Sequence, residues 1–118
     1  MEPLEFDFSF PRGDTCPVSF NLTDADGEAL TPTSATEIYF TLKNNYNETS
    51  FILQKRLSTG AITVVDGLCS FTLTHADTAA LSYGKYNYDI QLKENGYVKT
   101  LVIGEIELTS EATHLANE

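Results

Sequence analysis

The chain is short of positive charge. Its 118 residues carry seven Lys and Arg against 17 Asp and Glu, a formal net charge of −10. Phosphate backbones are held by cationic side chains that release counterions, so this balance argues against nucleic-acid binding. It argues equally against an anionic membrane surface. A negative surface keeps a protein soluble and steers it toward basic partners. Cysteine is also scarce: Cys16 and Cys69 are too few for a disulfide framework. Both fall on apolar faces, which suits buried thiols. A bond between them needs Cα atoms about 4.4–6.8 Å apart, which sequence does not decide. His75 and His114 are isolated, with no His-x-x-x-His or Cys-x-x-Cys spacing, so no metal or cofactor is expected. Long apolar runs are missing, which excludes a transmembrane helix, and the opening MEPLEFDFSF lacks the basic lead-in of a signal peptide. Folding in a cytoplasm is the expectation.

What the chain does have is alternation. Residues 74–92, THADTAALSYGKYNYDIQL, organise the rest. Thr74 is placed to cap a short helical turn near residues 75–81, with Asp77 three residues on as a capping-box partner. Leu81 points back toward a core, and Gly84 supplies backbone freedom at a corner. Tyr86, Tyr88, Ile90 and Leu92 then share one face of a strand, and Lys85, Asn87, Asp89, Gln91 and Lys93 the other. A corner leading into a Tyr-rich strand is the mark of a tyrosine corner in two-sheet sandwiches.

Upstream, Leu4, Phe6, Phe8 and Phe10 alternate with polar residues, and Pro11-Arg12-Gly13-Asp14 breaks the run. That break lets one opening strand kink and switch sheets. Cys16, Val18, Phe20 and Leu22 form the next apolar face, with Pro17 suited only to a sheet edge. Ile38, Phe40 and Leu42 mark another strand. Residues 51–56 form a strand of undecided register, with either Phe51 and Leu53 or Ile52 inward. Asp66-Gly67 and Glu94-Asn95-Gly96 signal hairpins. A long last strand spans residues 97–108, and Gly104 within it suggests a bulge or a close approach. About eight strands with turns every 8–12 residues define an all-β antiparallel β-sandwich over residues 1–108, followed by a polar tail over 109–118.

Several short patterns have plain readings. Arg12-Gly13-Asp14 spells an integrin-binding tripeptide and reads as a turn between strands. Asp24, Asp26, Gly27 and Glu28 resemble the start of a Ca²⁺ loop, but position twelve is Ala35, so a hairpin tip is expected. Asn21-Leu22-Thr23 and Asn47-Glu48-Thr49 match glycosylation sequons, which need export to be read. His75 has no Gly-flanked nucleophile nearby, so the chain is read as non-catalytic. The seven Phe fall mostly on inward positions, whereas Tyr39, Tyr46, Tyr83 and Tyr97 fall outward. Two readings of those tyrosines stand: a partner-contact surface, or packing across neighbouring strands.

With the strands placed, the sequence resembles the immunoglobulin-like N-terminal domain of siphophage upper baseplate proteins and related small phage virion proteins. The resemblance rests on FDFSFPRGDT at 6–15, TDADG at 23–27, IYFTLK at 38–43, QK at 54–55, LTHADT at 73–78 and LSYGKYNYDIQL at 81–92. It implies an immunoglobulin-like sandwich that docks onto a tail or baseplate, or another virion surface, by protein–protein contacts. Its implied partners are other phage structural proteins, with the chain in many copies or as a homo-oligomer in the virion, assembled in the host cytoplasm. The Arg-Gly-Asp-Thr turn becomes a structural feature under this resemblance. In the family a helical or trimerising segment usually follows, whereas this sequence stops at Glu118. The competing expectation is a bacterial cell-surface sandwich that recognises carbohydrate or protein.

Overall fold

Period-two hydrophobicity is realised as nine strands and one helical turn in the computed structural model, which describes residues 3–24, 26–45 and 50–110. Two short strands open the chain, β1 (Leu4–Glu5) and β2 (Phe8–Pro11), followed by β3 (Cys16–Asn21), β4 (Thr36–Lys43) and β5 (Leu53–Arg56). Then come β6 (Thr63–Val65), β7 (Leu68–Leu73), the helical turn α1 (His75–Thr78), β8 (Gly84–Glu94) and β9 (Tyr97–Thr109).

They build two sheets. The larger has the order β1-β9-β8-β4-β5, with β2 also on β9; the smaller has the order β3-β7-β6. Two sheets enclosing one core make this a β-sandwich. The opening segment does switch sheets: β2 belongs to the larger sheet, and β3, past the Pro11–Asp14 turn, to the smaller. Pro17 sits on β3, an edge strand, where a missing N–H costs no ladder bond.

The larger sheet is mixed rather than antiparallel, because β1 and β2 both run parallel to β9. Residues 4–10 are also two strands, not one. At the interruption the Asp7 carboxylate accepts from the Glu105 amide at 2.9 Å, standing in for a backbone carbonyl. The helix itself covers only residues 75–78, and a further turn closes with Leu81 N donating to Thr78 O at 2.9 Å.

The core lies between the sheets. Ile38, Phe40 and Leu42 of β4 are buried with Tyr86, Tyr88, Ile90 and Leu92 of β8, facing Phe71 and Leu73 of β7. The Phe40 ring stands 4.6 Å from that of Phe71 and 5.7 Å from that of Tyr88, joining the two layers. Burying each such side chain contributes roughly 1.5–3 kcal/mol relative to exposure. Not all phenylalanines join in: Phe6 is 47% and Phe51 53% exposed. The register of β5 follows neither simple alternative, since Ile52 and Leu53 both pack partly on the core while Phe51 stays out.

Both hairpin signals hold. Asp66 and Gly67 have φ of 50° and 81°, Asn95 and Gly96 of 49° and 83°, as two-residue turns of the primed type require. The β8–β9 ladder slips once: Ile90 faces Val102 and Gln91 faces Thr100, leaving Leu101 as the bulged residue. Gly104 is instead the close approach.

Candidate functional site

The Arg12-Gly13-Asp14 turn is bolted to α1. The Gly13 amide donates to the hydroxyl of the buried Thr78 at 2.8 Å, and the Gly13 carbonyl meets His75 Nδ1 at 2.7 Å. A carbonyl only accepts, so Nδ1 is the donor in this bond. Arg12 donates to the Leu81 carbonyl at 3.1 Å and lies over the Tyr83 ring, 4.5 Å from its centroid. Nearby, the Tyr86 hydroxyl donates to the Ser82 carbonyl at 2.7 Å, which is the tyrosine corner. The tripeptide is therefore internal wiring between the opening strand and the corner that enters β8.

Asp77 holds α1 from the other side. Its carboxylate accepts from the Thr74 amide at 2.8 Å and pairs with Lys55 of β5 at 2.9 Å. Burial pushes the Asp77 carboxyl up, but the Thr74 and Lys55 hydrogen bonds and the Lys55 charge outweigh it and hold the group below the usual Asp range. Asp89, half-buried on the outer face of the larger sheet, goes the other way: burial raises it and Lys43 only partly offsets this.

The four tyrosines singled out by sequence do not converge. Tyr39 on β4 is partly buried and lies under its cross-strand partner Arg56, 5.1 Å from ring centroid to guanidinium carbon. Tyr83 is 45% and Tyr97 57% exposed. They flank opposite ends of the eleven-residue β8, roughly 35 Å apart at strand rise. Tyr46 lies outside the described residues, as do His114 and most of the tail.

Two surfaces stand out instead. The outer face of the smaller sheet carries no charged side chain. Its cross-strand rows are Ser19–Ser70–Thr63 and Asn21–Leu68–Val65, with Pro17 opposite Thr72 beyond them. Val65 is 67% and Leu68 42% exposed, and β3 and β6 leave both sheet edges open within the described residues. The larger sheet contrasts sharply: its outer face carries Lys43, Lys85, Asp89, Lys93, Glu105 and Glu107.

The second surface is a cleft of about 490 Å³ between Thr23, Asp24, Asp26 and Leu30 on one side and the β8–β9 hairpin on the other. Leu30, Leu92 and Leu101 line it, with Tyr97 beside them. Three carboxylates, Asp24, Asp26 and Glu94, and one ammonium, Lys99, complete the wall. Asp24 is held by its own turn, accepting from the Asp26 and Glu28 amides at 2.9 and 3.1 Å. Glu94 accepts from the hydroxyls of Thr36 and Thr33. The Asp24 loop is thus a hydrogen-bonded hairpin tip, as expected, and no group of three metal-ligating side chains occurs among the described residues. Sequence pointed to Tyr97 and to the Asp24 loop separately. Their meeting, and the share of Leu30, Glu94 and Lys99, depend on the β8–β9 hairpin folding back toward a loop some 70 residues earlier in the chain.

Neither cysteine is in a disulfide. Cys16 faces Leu73 and Cys69 faces Phe20 on the same antiparallel pair, which separates them by about 13 Å of strand, beyond disulfide reach. Burial raises the Cys69 thiol to about 11, and burial with the Asp14 charge raises Cys16.

No protein-family model matches the chain, and no curated protein sequence matches it.

Proposed function

We propose that the protein is a non-catalytic docking module of a phage virion, seated in a tail, baseplate or other particle surface through protein–protein contacts. The observation that carries this reading is the charge-free outer face of the smaller sheet. On a chain of net charge −10, one whole sheet face built of Ser, Thr, Asn, Pro, Val and Leu is the composition of an interface centre, where charged residues are depleted. Its open edges add backbone donors and acceptors that a partner strand can pair. The resemblance of residues 6–92 to small virion sandwiches supplies the setting.

Mass spectrometry of purified particles of the encoding phage tests the proposal. The chain is expected at a fixed ratio to the tail or baseplate proteins. Ser70→Lys combined with Leu68→Lys, on an exposed face that the core does not need, is expected to leave the chain folded by circular dichroism and to exclude it from particles. Particles free of the wild-type chain, or normal incorporation of the folded double variant, overturn the reading.

A further inference from the structure

We propose that the cleft beside Tyr97 receives a basic side chain, an arginine by preference, from a partner protein. The inference takes the docking reading as given and names what one part of the surface holds. The chain has two arginines, and both are spent on tyrosines: Arg12 covers Tyr83 and Arg56 covers Tyr39. An arginine over the exposed Tyr97 ring has to come from another molecule. The surroundings of Tyr97 match such a guest along its whole length. Leu30, Leu92 and Leu101 offer apolar wall for the methylene stem. Asp24, Asp26 and Glu94 outnumber Lys99, so the cleft favours a cation. The Asp24 and Glu94 carboxylates are fixed in advance, by turn amides and by the threonine hydroxyls, which lowers the ordering cost of binding. The volume of about 490 Å³ sits within the range of ligand pockets, roughly 300–1,000 Å³.

The test is an NMR titration of the intact chain with a blocked Gly-Arg-Gly peptide. Its citrulline counterpart, which keeps the shape and loses the charge, and N-acetylglucosamine serve as the other two arms. The arginine peptide is expected to shift the amides of Leu30, Leu92 and Leu101 and the ring of Tyr97, to saturate, and to weaken as salt rises. Tyr97→Ser is expected to raise its Kd by about threefold or more, and Asp26→Asn by about twofold, with both variants folded by circular dichroism. Equal shifts from the citrulline peptide, shifts scattered over the acidic surface, or saturation by the sugar in place of the peptide each overturn the proposal. Such a failure leaves incorporation into particles untouched, whereas a chain absent from particles defeats the docking reading whatever the cleft binds.

Discussion

The Tyr88 hydroxyl donates to the Phe6 carbonyl at 2.6 Å, joining the centre of β8 to the gap between β1 and β2. Tyr88 is 1% exposed, and Gly104 lies directly opposite it on β9. A methyl group added at Gly104 would overlap the Phe6 carbonyl oxygen and stand 2.9 Å from the Tyr88 ring. The absent side chain is therefore what lets the opening segment reach the sheet.

Gly104→Ala is expected to lower stability by about 2 kcal/mol or more, since rigid backbone rather than a flexible side chain must yield. Tyr88→Phe is expected to cost about 1–2 kcal/mol by orphaning the Phe6 carbonyl. Urea unfolding measures both. Hydrogen exchange should show the loss concentrated at the amides that pair β9 with β1 and β2. Wild-type stability in Gly104→Ala would contradict this account of the opening segment.

Asp77 links α1 to pH. Its folded pKa lies below the unfolded value, so the unfolded chain takes up the proton first as acid is added. Its stabilisation is complete above the ordinary Asp value of about 3.9 and is lost as pH falls through the lower folded value. Asp77→Asn is expected to cost roughly 0.5–2 kcal/mol at neutral pH, as for a lost cap, and to converge with wild type in strong acid. A constant gap across the acid range would remove Asp77 from the explanation.

The thiols should differ in reactivity. With Cys69 fully buried and raised to about 11, iodoacetamide at neutral pH is expected to leave it unmodified until the chain unfolds, because the thiolate is the nucleophile. Cys16, only partly buried, should label slowly in the native state. Mass spectrometry resolves the two sites, and native labelling of Cys69 at the faster rate would count against the packing of β7.

The tripeptide Arg12-Gly13-Asp14 is expected to support no cell adhesion in the folded chain, since Arg12 is engaged by Leu81 and Tyr83. Gly13→Ala should loosen the same turn: φ is +84° and the new methyl would press His75 Nδ1 at 3.3 Å, a combination expected to cost about 1–3 kcal/mol. Adhesion assays and thermal melts check the two parts separately.

Local signals were readable in the sequence where the deciding partner is near in the chain. Asp66-Gly67 and Asn95-Gly96 dictate their turns through backbone conformation alone, and the alternation from Tyr86 to Leu92 needs only one buried face. Gly104 announced a bulge or a close approach, without deciding between them or naming what approaches. The split between β1 and β2 stayed hidden because Asp7 meets Glu105, nearly a hundred residues on. The exposed Phe6 and Phe51 show the same limit: alternation records which side a residue takes, not whether that side is covered there. The cleft was least visible, because Leu30 and Tyr97 meet only once both hairpins are in place.

The parallel seating of β1 and β2 on β9 also orders events in time. A ribosome must release Tyr97–Thr109 before Phe8–Pro11, made first, has anything to pair with. Such distant pairing slows folding, so during synthesis β2 waits without its ladder partner, and its pairing step falls after β9 has been made.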